Sequence, residues 1–177
     1  MNLIANSAAL LESVTHYFQG EMIEALVFIL PAGLVSLVFG FWLVAENSST
    51  FIRGVAIPFL VMGLLMTVVG AVVGYRTPTQ VTALRAHLQG APGTALAAEK
   101  LRMSKVNGAW RTYLAVWAIL GITGFALRFG TRNEFAHGLG IAMVLFCGVG
   151  LLIDGFAERR AHTYAAALEA TQTPRSN

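Results

Sequence analysis

Charged residues are scarce in this chain of 177 residues: they make up 12% of it, whereas 56% is hydrophobic. A soluble domain of this size carries about a quarter charged residues. The apolar residues stand in long blocks rather than in short alternating runs, so helices built from them would be hydrophobic all round. This pattern favours a membrane protein. The alternative is a soluble helical bundle, whose helices would then lack a polar face for water.

The groupings of cysteine, histidine and acidic residues that support catalysis or metal binding are missing from the sequence. The single cysteine, Cys147, has no intrachain partner for a disulfide, and the four histidines lie in separate segments. Two histidines that hold a haem would have to face each other within one bundle. There is no HExxH, no Gly-rich phosphate loop and no Ser/His/Asp ordering. We therefore expect no enzyme activity, no cofactor and no metal ion.

Four apolar blocks are long enough to cross a bilayer, for which about 20 residues are needed. Ala25–Ala45 and Gly54–Tyr75 carry no charge, and Phe135–Ile153 is interrupted only by His137. Thr112–Leu127 is shorter, roughly 24 Å of helix, but the arginines on either side can reach the interfaces. We predict an all-α four-transmembrane-helix bundle, a single membrane domain whose spans cover about residues 22–45, 54–75, 110–128 and 135–156.

Lysine and arginine are unevenly divided between the two sides that these spans would create. Basic residues in short flanking segments stay in the cytoplasm, so the termini and the middle loop are predicted there. The basic residues serve orientation and lipid contact first, and we expect no nucleic-acid partner. Nine lie on the predicted inner side and three on the outer: Arg76, Arg85, Lys100, Arg102, Lys105, Arg111, Arg159, Arg160 and Arg175 against Arg53, Arg128 and Arg132.

Three segments outside the spans are also predicted to be helical. Leu3–Phe18 has its apolar residues on one face and predicts a short amphipathic helix lying on the inner membrane surface. Thr77-Pro78 is typical of a helix start, with the threonine as the cap, and opens a cytoplasmic helical hairpin over residues 77–107. Asn107-Gly108 either separates this hairpin from span three or is a costly point in one long helix. Residues 157–171 predict a cytoplasmic C-terminal helix.

The two halves of the chain match each other without a gap when Phe51 is aligned with Phe135. In this alignment Phe51-Ile-Arg-Gly54 falls on Phe135-Ala-His-Gly138, and Arg76 falls on Arg160. The identities exceed what apolar composition alone would give, although chance among hydrophobic spans remains the alternative. A 2+2 internal duplication with two crossings per unit would relate the halves by a twofold axis along the membrane normal.

Several ionisable residues are predicted to lie at the inner level of the bundle. A charged side chain near a bilayer costs free energy, and charged residues that lie there often have a function. Structural ion pairing is the favoured interpretation, because a proton or ion relay would want a carboxylate near the midplane and none is there. The candidate inner-face charge cluster comprises Glu24, Arg76, Arg111, Asp154, Glu158 and Arg159.

Glycines recur at spacings that allow close contact between helices. Gly70 and Gly74 form a GxxxG, a motif that lets helix backbones approach in a membrane. Packing within the bundle is the favoured interpretation, and a seam between two copies of the chain is the alternative. The candidate helix-packing residues are Gly33, Gly40, Gly63, Gly70, Gly74, Gly121 and Gly124.

Three runs of sequence carry a resemblance to a known group of proteins. They are Arg76-Thr-Pro-Thr-Gln80, then Glu99-Lys-Leu-Arg102-Met103 leading to Trp110 and Tyr113, then Asp154-Gly-Phe-Ala-Glu158-Arg159-Arg160. From span two onward the chain resembles uncharacterised small bacterial inner-membrane proteins with four transmembrane helices. The resemblance implies that architecture and that membrane. The group has no assigned activity, so no catalytic residue carries over.

Three functions remain open at this point. The leading hypothesis is a non-enzymatic accessory or immunity-type subunit that binds another membrane or cytoplasmic protein, or a second copy of itself. The alternative is a small transporter or channel subunit with a path between the duplicated halves. A membrane-embedded enzyme would need a deep polar cavity in which the charged residues converge. The sequence does not identify a substrate, a partner or the oligomeric state.

Overall fold

The computed structural model describes residues 2–46 and 49–171, and it describes the side chains of the first helix from Leu10 onward. The described part of the protein is all-helical. The first helix, a π-helical segment and the second helix follow one another without interruption and together form the first of four long rods. In chain order the elements are α1 (Asn2–Ile23), the π-helical segment Glu24–Ile29, α2 (Leu30–Glu46), α3 (Thr50–Gly90), α4 (Pro92–Gly130) and α5 (Glu134–Ala170).

All four rods are long and apolar enough to cross a membrane. The last three contain 41, 39 and 37 residues, which corresponds to roughly 55–62 Å of helix, whereas a hydrocarbon core is about 30 Å thick. Each rod therefore has more length than one crossing uses. The chain has the architecture of a multi-pass membrane protein.

Exposed large apolar side chains form one belt around the rods. Among the described residues they lie within 23–44, 57–75, 113–129 and 141–156, with Leu101 as the exception. The polar turns at Ser49 and Thr131–Asn133 mark one end of the belt, here named the turn end. Arg76 and Arg160 lie just beyond its other end, here named the basic end.

The rods pack in the order α2, α3, α5, α4, with α3 and α5 in the middle. The two middle helices run in the same direction and approach most closely at Gly54 and Gly138. A Cβ built on Gly54 would overlap the Phe135 carbonyl oxygen, and one built on Gly138 would overlap the Phe51 carbonyl oxygen. The contact is therefore reciprocal, because Gly54 aligns with Gly138 and Phe51 with Phe135 when the halves are compared.

Beyond the belt, parts of all four rods pack around a core of their own. This region, here named the head, comprises residues 10–22, 76–90, 92–110 and 157–170. Its core buries Val14 and Phe18 from α1, Met103 from α4, and Tyr164 and Leu168 from α5. Val81, Leu84 and Leu88 from α3 pack against them.

The head corrects the prediction for the N-terminal helix. An amphipathic helix was expected to lie on the membrane surface, whereas Leu10, Val14 and Phe18 are buried against protein. The physical reason is that an apolar stripe has no preference between lipid and an equally apolar protein surface, and the extensions of α3, α4 and α5 supply that surface. Leu3 and the other side chains before Leu10 lie outside the described residues.

The predicted helix start at Thr77-Pro78 is also wrong, because both residues lie inside α3. Thr77 does not cap a helix; its hydroxyl donates to the Val73 carbonyl at 2.7 Å and is buried. A proline inside a helix removes one backbone donor, and packing of the flanking turns outweighs that cost here. At Asn107-Gly108 the helix likewise continues, so the second of the two alternatives applies: residues before Asn107 and span three belong to one long helix, α4.

The π-helical segment lies immediately before Pro31. A proline has no N–H and its ring crowds the carbonyl four residues earlier, so the regular α-helical pattern cannot continue through Val27. In the segment, Leu30 N–H bonds the Ala25 carbonyl, five residues back. The wider turn lets the first rod run through a proline without a gap in its helix.

Candidate functional site

Two ion pairs join the first rod to the middle helices at the basic end. Arg76 of α3 contacts Glu21 with 3.1 Å between Nη2 and Oε1, and Arg160 of α5 contacts Glu24. The two arginines occupy the same aligned position of the two halves, and the two glutamates are three apart on the first rod. This rod is thereby fixed between α3 and α5 where these leave the belt. Glu21 Oε2 and Arg160 Nε are buried without a hydrogen-bond partner.

The predicted charge cluster separates into two groups in the structure. Glu24 and Arg76 belong to the ion pairs just described, with Arg160 and Glu21 as their partners rather than members of the predicted set. Arg111, Asp154 and Glu158 line a cavity of about 410 Å³ between α4 and α5. Arg159 is exposed and lines a different cavity, between α1 and α5.

Within the second group, Asp154 is held by a neighbouring helix. Its Oδ2 accepts a hydrogen bond from Trp117 Nε1 at 2.6 Å. Glu158 contacts His162 one turn along α5, with 3.6 Å between Oε1 and Nε2. The Cys147 thiol donates a hydrogen bond to the Trp117 backbone carbonyl, with 3.1 Å between Sγ and the oxygen. The α4–α5 contact thus has polar links that the sequence did not reveal.

A cavity of about 530 Å³ opens between the two halves at the level of the belt, here named the lateral groove. Its walls are mostly apolar and come from all four rods, with Met62 and Met66 from α3 and Phe146 from α5. Trp110, Tyr113 and Trp117 of α4 line one side. At the basic end the groove is bounded by Glu21 and Asp154.

The head contains a buried charged network that sequence analysis did not single out. Glu99 is 6% exposed, and both of its oxygens accept from Arg102: Nη2 to Oε1 at 2.7 Å and Nε to Oε2 at 2.9 Å. The Tyr164 hydroxyl donates to Glu99 Oε1 at 2.9 Å. The Arg102 guanidinium lies 5.3 Å from the Phe18 ring centre and 5.7 Å from that of Tyr17. The i,i+3 spacing of Glu99 and Arg102 was a signal for part of this network.

Burial and charge shift three pKa values in this network. Desolvation raises the pKa of Tyr164, and the Glu99 carboxylate raises it further. Desolvation also raises the pKa of Tyr17, with Glu21 adding to the effect. For Arg102, burial opposes the charge, but the hydrogen bonds and charge of Glu99 outweigh it and raise the pKa. At neutral pH the Tyr164 phenol is therefore neutral and Arg102 is a cation.

All the candidate helix-packing glycines are buried, and each lies against a neighbouring helix. Gly33, Gly40, Gly63, Gly70 and Gly74 form the contact between the first rod and α3, and Gly121 and Gly124 that between α4 and α5. Gly54 and Gly138, at the α3–α5 crossing, were not among the candidates. Their signal was available in the match between the two halves, where both fall on the same aligned position.

In the described part of the chain, no group of three or more His, Cys, Asp or Glu residues is arranged to hold a metal ion. Taken together, the fold and these contacts define an all-helical protein with four helices able to cross a membrane and a packed head at one end. Comparison with models of protein families, with curated protein sequences and with solved structures finds no match.

Proposed function

We propose that this chain is a non-enzymatic multi-pass protein of a bacterial inner membrane, with both termini in the cytoplasm. It acts as an accessory or immunity-type subunit that presents its head to a partner protein. The observation that carries this proposal is the head itself, because anchoring needs only about 20 residues per span. The extra turns of four rods pack around a separate core, and anchoring does not account for them.

The surface of the head supports contact with water and protein rather than with lipid. Among its described residues, Leu101 is the one large apolar side chain that is exposed. Exposed side chains of both charges lie on the head, among them Glu12, Arg85, Lys105 and Glu169, in contrast to the single-sign field that nucleic acid would favour. A surface built on packed helices loses little conformational entropy on binding, which suits a constitutive partner.

We further propose that the two halves arose by duplication. The reciprocal contact of Gly54 and Gly138 supports it, as does a second pair of matching contacts: Gly40 packs on Leu60, and Gly124 on Val144. In the alignment of the halves, Gly40 falls on Gly124 and Leu60 falls on Val144. Two copies of one helical hairpin related by a twofold axis would produce this pattern.

Site-specific photo-crosslinking in cells tests the partner-binding function. A photoreactive residue at Leu101 or at Lys105, one turn further on α4, should yield a discrete protein adduct. The same residue at Arg132, on the turn end, is the control and should not yield it. An adduct at twice the chain mass of 18.9 kDa identifies a second copy as the partner. Absence of protein adducts from both head positions would contradict the proposal.

The lateral groove favours a second candidate function, that of a small transporter or channel subunit with a path between the halves. The Gly54–Gly138 crossing joins the halves at the turn end, and the ion pairs of Glu21 and Glu24 join the first rod to α3 and α5 at the basic end. A transport cycle would have to open both. Flux measured in proteoliposomes that falls with Asp154→Asn would support this function, and absence of flux would remove it.

A further inference from the structure

The lateral groove differs from the other clefts of the protein in its combination of charge and apolar wall. Its volume of about 530 Å³ lies within the roughly 300–1,000 Å³ that small-molecule sites occupy. Leu65, Val69, Tyr113 and Val116 line it and are exposed at the level of the belt, so a ligand would reach it from the hydrocarbon interior. The question is which ligand its chemistry fits.

The charge of the groove has one sign. Glu21 and Asp154 are the two charged residues that line it, and among the described residues no lysine or arginine does so. Arg76 neutralises Glu21 only in part, because it contacts Oε1 while Oε2 is buried without a partner. Asp154 Oδ2 receives a neutral donor, the Trp117 indole N–H. A carboxylate beside an apolar cavity costs free energy unless a positive group pairs with it.

The aromatic rings of the groove also favour a positively charged ligand. Trp110, Tyr113 and Trp117 line the groove together with the two acids. The face of an aromatic ring attracts a cation within about 6 Å, and tryptophan does so best. A wall of aromatic rings near carboxylates therefore suits a diffuse positive charge that carries apolar substituents, while the methionines opposite adapt to the shape of the apolar part.

We propose that the lateral groove binds a lipophilic cation, a small molecule with one delocalised or amine-borne positive charge and an apolar body. The charge lies between Asp154 and Glu21, and the apolar body extends between Met62, Met66 and Phe146. The groove borders the head, with which it shares Glu21 and Trp110, and binding of a small molecule there goes beyond the partner-binding function. Ordinary lipid tails are the competing occupant, and they would fill the apolar part without using the carboxylates.

Tetraphenylphosphonium is the probe for this site, and calorimetry of the full-length protein in non-ionic detergent is the measurement. Saturable binding with one site per chain is expected. Tetraphenylborate has the same size and shape with the opposite charge and should not bind. Asp154→Asn keeps an oxygen that accepts from Trp117 and removes the charge, so it should raise the Kd about tenfold or more.

Two further variants separate binding from folding. Glu134→Gln makes a comparable change on α5 at the turn end, where the residue is exposed, and should leave the Kd unchanged. Val116→Trp fills the groove without touching a carboxylate and should abolish binding. The proposal is overturned if tetraphenylphosphonium and tetraphenylborate bind alike, if neither binds, or if the Kd is the same in wild type, Asp154→Asn and Val116→Trp.

Discussion

Gly54 and Gly138 lie against each other's helix backbone, so that neither position has room for a side chain. The Leu139 backbone nitrogen is 2.9 Å from a Cβ built on Gly54, and the Val55 nitrogen is 3.1 Å from one built on Gly138. In a membrane, helices gain little by hiding apolar surface from lipid and depend instead on close packing. This crossing is therefore the main direct contact through which the halves hold each other at the turn end.

Gly138→Ala should destabilise the protein because the added methyl group collides with a carbonyl oxygen that cannot move independently of its helix. Overpacking of this kind costs ~1–3 kcal/mol and should lower the thermal unfolding midpoint in detergent. Gly148→Ala, on the same helix with nothing within 4 Å, should melt like the wild type. Equal midpoints for the two variants would show that the crossing does not limit stability.

The network in the head predicts a large difference between two substitutions that each remove one partner of Glu99. Arg102→Met leaves a buried carboxylate without its cation and should cost ~3–5 kcal/mol. Tyr164→Phe removes one hydrogen bond while Arg102 stays and should cost ~1–3 kcal/mol. Chemical unfolding followed by circular dichroism measures both. Lys105→Met, at an exposed position of α4, is the control, and a loss there as large as for Arg102→Met would contradict the assignment.

The raised pKa values of Tyr17 and Tyr164 predict how the head responds to alkali. A phenol whose pKa is higher in the folded state contributes stability that is fully present below about pH 10 and is lost as the pH rises through the folded value. Tyrosinate absorbance at 295 nm measures the ionisation. Tyr164→Phe should leave the absorbance of the folded protein at pH 11 unchanged and reduce that of the unfolded protein by one tyrosine. A reduction in the folded protein would show that Tyr164 is already ionised there.

The two ion pairs of the first rod should differ in strength because they differ in exposure. The Arg160 and Glu24 side chains are 19% and 14% exposed, whereas Arg76 is 47% exposed. Arg76→Gln should therefore cost about 1 kcal/mol or less, and Arg160→Gln ~1.5–3 kcal/mol. Hydrogen exchange along α1 measures the loosening, with Glu12→Gln, at an exposed position, as control. If Arg76→Gln loosens α1 more than Arg160→Gln, burial does not set the strength of these pairs.

The sequence predicted the helical class because block length and the absence of charge act locally, residue by residue. It placed a helix start at Thr77-Pro78, inside α3, and left open whether α4 continues through Gly108, because both helices are held by packing of neighbouring turns such as those of Leu84 and Met103. Local propensity is a weak guide wherever tertiary contacts decide. The apolar face of the first helix, which includes Leu10, was predicted from the sequence. The surface that this face packs against was not, because it belongs to other helices.

The partners of the charged residues could not be predicted from the sequence for the same reason. The level of Glu24, Arg76 and Asp154 along the rods could be read from span lengths, whereas their partners depend on how each helix is rotated about its axis. Arg160 rather than Arg159 faces Glu24, and a rotation by one residue decides between them. The hydrogen bond from Trp117 to Asp154 has no counterpart in any sequence motif.

The predicted orientation has a direct test, because the two ends of the rods should be accessible from opposite sides. In a Cys147→Ser background, Gly93→Cys places a thiol at the junction of α3 and α4, where nothing lies within 4 Å of a side chain. Arg132→Cys places one on the turn end, which is exposed. A membrane-impermeant maleimide added to intact spheroplasts should label the thiol at position 132 and should label that at position 93 only after the membrane is opened. The sequence sets this expectation, with nine lysines and arginines in the segments predicted to be inside and three in those predicted to be outside, and the reverse labelling pattern would invert the whole topology.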